Sequence, residues 1–297
     1  MAAAASSPET PDARWLEARL GPREFKRLSA VIEGQTGIRM PATRRTMLEG
    51  RLRHRLKALR LGDFETYCQR VLDSGDAEEV RHLIDRATTN TTQFFREPAH
   101  FNYLARQVLP ALQREGRFDG RPLSVWSAGC STGEEVYTLA MVLDEAAATQ
   151  ANRGGHRIRG TDISVDVLRV AARAVYPADR ADTVPRQYRA RYLLSSRSRA
   201  APSIRVVPAL RRVTSFDYLN LMDPAYKVDA PVDILFCRNV FIYFNRDTQH
   251  EVLDRFLRCM EVGAHLFLGH VDTVHGFDLP LAQVAPSVYR KIPRGGA

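Results

Sequence analysis

The stretch VWSAGCSTGEEVYTLAM, Val125 to Met141, begins as an apolar strand, breaks at small residues and ends as a helix. Gly129 and Gly133 let the backbone turn tightly between the two and approach a ligand closely. A strand, a glycine turn and a helix form the opening unit of an open α/β sheet, in which ligands bind beyond the carboxyl ends of the strands. The turn has no lysine of the Gly-x-x-x-x-Gly-Lys-Ser/Thr phosphate loop, and the Gly-x-Gly-x-x-Gly dinucleotide fingerprint is absent. Glu134 and Glu135 follow it instead. Carboxylates at a helix N-terminus repel a triphosphate but suit a nucleoside that carries positive charge. S-adenosylmethionine has that chemistry: ribose hydroxyls, cationic sulfonium and amino groups, no phosphate. The same residues also fit a plain glycine turn with two solvated carboxylates that complement the helix dipole.

Working outward, the chain from Pro122 alternates strand and helix. LSVWSAG, HRIRGTD, VDILFCRN and AHLFLGH read as strands; Glu134–Ala148, Val165–Ala174 and Arg246–Met260 read as helices. Such alternation implies a mostly parallel sheet covered on both faces. RYLL, SIRVV and RRVTSFDY interrupt it as short extended runs, which read as a small antiparallel insertion over about 184–218. Upstream the rhythm is helical. Phe25, Leu28 and Ile32, then Met47, Leu48, Leu52, Leu56 and Leu59, recur at intervals of three and four. Asp63 and Asp76 have the position of N-caps. The expected organisation is an Ala/Ser/Pro-rich disordered lead over 1–11 and an all-helical N-terminal domain over 12–86. A linker over 87–98 that contributes to the site follows, then an α/β domain over 99–297.

Three further stretches carry polar residues toward one crevice. Asp162 ends the second strand, where a carboxylate can take both ribose hydroxyls or can cap the next helix. Arg238 and Asn239 end the apolar strand DILFC, where burying them only for packing would cost more than an apolar choice. TTNTTQFFRE, Thr88 to Glu97, sets Asn90, Thr92 and Arg96 around two phenylalanines. A fourth stretch, RRTMLEGRLRHRLKALR, gives a helix with Arg44, Arg45, Arg51 and Arg55 along one face. It reads as a solvated face or as a docking surface for an acidic partner.

The net charge of +9 favours an acidic partner without naming it. Aromatic residues are not interleaved with the arginines, which disfavours single-stranded nucleic acid. The four cysteines match no zinc spacing and read as reduced cytosolic thiols. His265, His270 and His275 are evenly spaced but straddle a strand end and a glycine loop, so no metal site is expected. No apolar run is long enough for a membrane span and no signal peptide is expected.

Taken together, TNTTQFFRE, WSAGCSTGEE, GTDIS, LNLM (Leu219–Met222), FCRNVFIYF and LFLGH resemble, in order, the CheR-type chemotaxis receptor glutamate methyltransferases, over about Phe25 to Arg290. The resemblance implies a Rossmann-like S-adenosylmethionine-dependent methyltransferase domain with an inserted β-subdomain, preceded by a helical domain. It implies cofactor contacts from Asn90, Thr92, Arg96, Glu135, Asp162, Asn220, Leu221, Arg238 and Asn239, to which the glycine turn adds Gly129, with S-adenosylhomocysteine as product. It implies methylation of glutamates on the cytoplasmic helical domain of a methyl-accepting chemotaxis receptor, by a cytoplasmic monomer whose basic helix (Arg44, Arg45, Arg51, Arg55) faces the substrate. Arg96 and Tyr243 are the candidates for orienting the attacked carboxylate. A binding-only sensor of the same cofactor is the alternative. The family usually has Ser-Glu where Val271 and Asp272 stand, Pro where Val136 stands and Ser where Thr138 stands.

Overall fold

The computed structural model describes residues 14–117, 120–149, 155–198, 200–228, 231–272 and 274–294; the lead over 1–11 lies outside them. The chain divides into two compact units, residues 1–89 and 90–297.

The first unit is helical: α1 (Arg14–Glu17), α2 (Pro22–Thr36), α3 (Arg45–Leu59), α4 (Phe64–Cys68) and α5 (Ala77–Ala87). Its ends follow from the sequence. Asp63 accepts the Thr66 N–H, Asp76 accepts those of Glu78 and Glu79, and Gly37 closes α2 in the left-handed conformation. Leu28, Ile32, Leu48, Leu52, Leu56, Phe64 and Leu83 fill the core. The basic face of α3, read as a solvated face or a docking surface, is in part engaged within the unit. Arg55 grips the buried Glu79 of α5 through Nε, at 2.8 and 2.9 Å to its two oxygens. Arg51 donates to the carbonyls of Arg86 and Thr88 at the C-terminus of α5. Both side chains therefore work inside this unit, while Arg45 is exposed and Arg44 half-buried.

The second unit opens with α6 (Pro98–Tyr103) and α7 (Leu109–Arg114). The α/β body then runs β1 (Leu123–Ala128), α8 (Glu134–Thr149), β2 (His156–Asp162) and α9 (Val165–Arg173). After β3 (Val175–Pro177), α10 (Arg186–Tyr192), β4 (Leu193–Ser195), β5 (Ser203–Val206) and α11 (Pro208–Arg212) it resumes. It ends with β6 (Thr214–Tyr218), β7 (Val232–Cys237), α12 (Arg246–Cys259), β8 (Met260–Leu268), β9 (Leu281–Ala285) and β10 (Val288–Lys291). The main sheet has the order β6-β2-β1-β7-β8-β10-β9. From β6 to β8 every pairing is parallel; β10 and β9 add an antiparallel edge. β7 is buried along its whole length, and α8 is buried from Val136 to Leu143, as expected of layers covered on both sides. The chain leaves β1 toward β2 and β6, then returns to place β7 on the other side of β1. That reversal opens a crevice at the carboxyl ends of β1 and β7.

The small sheet, β3-β5-β4, is antiparallel, but its boundaries differ from the expected 184–218. It recruits Val175–Pro177 from before that range. RRVTSFDY leaves it, because Thr214–Tyr218 runs parallel to β2 as the outer strand of the main sheet. Alternation explains the choice: Phe216 packs on Tyr137 of α8, while Asp217, on the other face, pairs with Arg159 of β2 at 2.9 Å. A three-residue strand has no such pattern to read. The hairpin of β9 and β10, turned at Ser287 with φ 55°, is likewise an addition to the sequence reading.

Removing the α3–α5 ion pair from one side tests the first unit. Arg55→Ala leaves Glu79 buried without its partner and should cost about 3 kcal/mol, the low end for a broken buried pair because Arg55 reaches solvent. Arg45→Ala should be neutral. Urea unfolding of both variants checks this; equal effects would refute the structural role of Arg55.

Candidate active site

Five loops meet at the carboxyl end of the sheet, all within the second unit. Four of the seven described non-glycine residues with positive φ lie in them: Phe95 (53°), Glu97 (57°), Ser131 (51°) and Asn239 (59°). Left-handed backbone of this kind is costly and persists where the surroundings impose it, which marks these loops for function.

The β1 loop turns at Gly129, φ 74°. A Cβ there would stand 2.5 Å from Cγ2 of Val240, so the glycine is needed first for the close approach of the β7 loop. The amides of Gly129 and Cys130 both donate to the Thr161 carbonyl. Asp162 is buried and braces two loops at once: Oδ2 accepts the Ser131 N–H at 2.8 Å and Oδ1 that of Ser164 at 2.9 Å. Ser164, rather than Asp162, caps α9.

The two glutamates of α8 part company. Glu134 is buried, accepts the Thr132 hydroxyl at 2.6 Å, and burial raises its carboxyl above the ordinary range. Glu135 faces the crevice, accepts Ser127 Oγ at 2.8 Å and lies 3.1 Å from Nε of Arg238. Arg238 is buried. It donates to the Arg96 carbonyl at 2.6 Å, lies 3.4 Å from Nδ1 of His100 and stacks over Phe101 at 5.3 Å. Its guanidinium thus organises the loop from Asn90 to Glu97 and neutralises Glu135. Asn239 follows it, with Nδ2 3.5 Å from Glu97 Oε1.

The remaining positions named from the sequence lie on the same loops. The Asn90 carbonyl accepts Ser131 Oγ at 2.9 Å, the Thr92 carbonyl accepts Arg180, and Arg96 is half-buried with Nη1 on the Thr91 carbonyl. Asn220 closes a turn on the Met222 N–H, and the Leu221 carbonyl takes Tyr226 Oη and Arg255. Leu219 N–H on the Asp162 carbonyl brings that turn beside β2. Tyr243 stands half-buried in the turn Phe241–Tyr243.

Residues 90–289 match the family described as CheR methyltransferase, SAM binding domain, and residues 23–88 match CheR methyltransferase, all-alpha domain. The chain belongs to the CheR methyltransferase family. A chemotaxis protein methyltransferase of Borreliella burgdorferi is 32% identical over 90% of this chain and 94% of that protein. Chemotaxis protein methyltransferase 2 of Pseudomonas aeruginosa is 34% identical, over 90% and 92%. The chemotaxis protein methyltransferase of Escherichia coli is 35% identical, over 84% of each. As a member of the CheR family the chain is an S-adenosylmethionine-dependent methyltransferase. The crevice agrees with such a cationic ligand: Glu97, Glu135, Asp162 and Asp272 outnumber the guanidiniums of Arg96, Arg180 and Arg238. No described helix is long and apolar enough to cross a membrane.

Sequence reasoning passed over Glu97 and His100 and gave no task to His270 and Asp272; the four gather at one edge of the site. Glu97 Oε2 lies 3.4 Å from His100 Nδ1 and 3.7 Å from His270 Nε2. Among the described residues these three form the grouping of potential metal-ligand atoms, within 4.8 Å of one another, though the Arg238 guanidinium beside His100 opposes a cation there. His265 and His275 do not join them: His265 is buried on β8, and the His275 carbonyl binds Arg246.

Burial, reinforced by Arg238, pushes His100 from 6.5 down to about 4, and burial with Arg290 does the same to His265. Both are neutral in the fold, while the unfolded chain binds protons below about 6.5. Their stabilising contribution is therefore complete above about 6.5 and is lost as the pH falls toward about 4. Glu134 and Asp272, raised by burial, act in the opposite sense, so the variant must isolate the histidine. His265→Gln should flatten the fall in unfolding free energy below pH 6.5 by up to about 1.4 kcal/mol per pH unit. A slope equal to that of the parent chain would exclude a neutral His265.

Proposed function

We propose that this chain transfers methyl groups from S-adenosylmethionine to glutamate side chains on the cytoplasmic helical domain of a chemotaxis receptor. The observation that carries this reading is the crevice itself: Asp162, Glu135, Arg238 and Asn239 converge at the switch point of a CheR-family sheet, with carboxylates in excess. Cytoplasmic location and an acidic helical partner belong to the same reading, supported by the relatives' role in chemotaxis and by the basic charge.

The bound cofactor supplies an electrophilic methyl group on a sulfonium. Asp162, a carboxylate at the end of β2, is suited to ribose hydroxyls, and Glu135 to the positive methionyl end. Asn90, Thr92, Gly129, Asn220, Leu221 and Asn239 complete the pocket in this proposal. The attacking glutamate needs no base, because a carboxyl of pKa ~4.3 is already ionised at neutral pH. What the protein supplies is alignment and exclusion of water, and alignment alone can contribute ~7–11 kcal/mol. Arg96 is the candidate for orienting that carboxylate. Its contact with Thr91 engages one N–H of the five in a guanidinium. Tyr243 is the second candidate, on the turn after β7. Neither should hold the carboxylate tightly, since that would stabilise the ground state. Arg45, exposed on α3, is the arginine of the basic helix best placed to meet an acidic helix, with Arg44 beside it. Arg51 and Arg55 would act indirectly, by holding α3 to α5.

Titration calorimetry with S-adenosylmethionine and S-adenosylhomocysteine tests the pocket. Asp162→Ala should weaken both by roughly tenfold or more and lower the melting temperature by a few degrees, because two loop amides lose their acceptor. Unchanged affinity would remove Asp162 from the site. Transfer of a labelled methyl group to purified receptor cytoplasmic fragments tests the reaction. The product should be alkali-labile, as a glutamyl methyl ester is, and Arg96→Ala should lower kcat roughly 100-fold with cofactor affinity changed less. Alkali-stable label, or none, would overturn glutamate as the acceptor.

A further inference from the structure

The proposed reaction draws on the loop from Asn90 to Glu97 and on those after β1, β2, β6 and β7, and assigns no task to a buried carboxylate beyond β8. Asp272 is 5% exposed. Its Oδ2 accepts two backbone N–H groups, from Gly269 at 3.0 Å and from Asn239 at 2.9 Å. The first bond lies within its own turn, which the Asp272 N–H also closes on the Gly269 carbonyl. The second crosses to another element, the end of β7. One oxygen therefore joins two neighbouring strands where both leave the sheet.

The surroundings are tight. A Cβ on Gly269 would lie 2.8 Å from Asn239 N, 2.8 Å from Asp272 Oδ2 and 2.9 Å from Asn239 Nδ2. The bare α-carbon of Gly269 is what allows Asn239 to come so close. Asn239 stands in left-handed backbone at φ 59°, which asparagine tolerates better than most residues but which a contact still has to select. Its amide bond to Asp272 supplies that contact. A residue needed only for its own turn would bond Gly269 and leave Asn239 alone.

We propose that Asp272 is a positioning residue of the cofactor site: by gripping the Asn239 amide it fixes the left-handed step that aims the Asn239 side chain and launches the Phe241–Tyr243 turn. This rests on reading Asn239 as a cofactor contact. Asp272→Ala removes the acceptor from both amides. Asp272→Asn keeps one oxygen able to accept both, and Gly269→Ala keeps the carboxyl group but crowds both Asn239 and Asp272 Oδ2, forcing the two apart.

The experiment compares full-length parent and variants by titration calorimetry with S-adenosylhomocysteine, by methyl-transfer kinetics and by backbone amide exchange over residues 232–245. Asp272→Ala and Gly269→Ala should weaken cofactor binding roughly tenfold, an effect of the size expected when a buried amide loses its partner or its place. The KM for cofactor should rise while the KM for the receptor fragment stays within about twofold. Asp272→Asn should restore binding to within about threefold of the parent. Exchange of the 232–245 segment should accelerate in Asp272→Ala. A lower melting temperature with unchanged cofactor affinity would reduce Asp272 to a turn residue and overturn the proposal. If Asp272→Ala does not fold, parent-like binding by Gly269→Ala overturns it equally. Binding and exchange do not involve the acceptor, so failure to methylate glutamate would leave this test standing.

Discussion

A guanidinium buried in the middle of the sheet's carboxyl end constrains everything around it. Arg238 cannot be left alone there, since an isolated buried cation is costly. Glu135 answers its charge, the Arg96 carbonyl takes one arm, and the Phe101 ring covers one face. The end of β7, the first turn of α8, the loop from Asn90 to Glu97 and the start of α6 must therefore meet in one arrangement. Such a pair is weak evidence for added stability but strong evidence for a fixed geometry. The left-handed residues Phe95, Glu97 and Asn239 sit within a few positions of its contacts, where the strain of their backbone can be held.

The electrostatics of the crevice follow from the same arrangement. Arg238 and Ser127 hold Glu135 in place from within the protein, so its carboxylate is oriented before a cationic ligand arrives. Glu134 turns inward, and Asp162 holds two loops by their amides. A ligand with distributed positive charge and hydroxyl groups meets acceptors already oriented by their other bonds, which lowers the cost of ordering them on binding.

Much of this was open to a reader of the chain. The glycine turn, the apolar strands and the N-caps Asp63 and Asp76 have local signatures, and strand ends direct Asp162, Arg238 and Asn239 to one side of a parallel sheet. Pairings between distant residues have no such signature. Nothing near Thr214 says that its strand joins β2 rather than the small sheet, because short strands acquire their partners from tertiary packing. The grip of Arg55 on Glu79, of Arg238 on His100 and of Asp272 on Asn239 spans 24, 138 and 33 positions. A helical face of arginines therefore looked uniform in sequence, though two of its members are held within the unit.

The wide spacing of these contacts has a consequence for how the protein is made. Ser124 at the start of β1 bonds Asp233 of β7 across 109 positions, and Arg238 reaches the Arg96 carbonyl across 142. Contacts that far apart close late, after the entropy of a long loop has been overcome. A chain emerging from the ribosome can complete its helical first unit while β7 is still unmade. Until then β1 has an open edge at the centre of the future sheet, and the crevice has only one wall. The part of the molecule that binds cofactor thus cannot close before β7 is made, and a chain cut short of Arg238 holds the glycine turn without the guanidinium that orders the loop from Asn90 to Glu97.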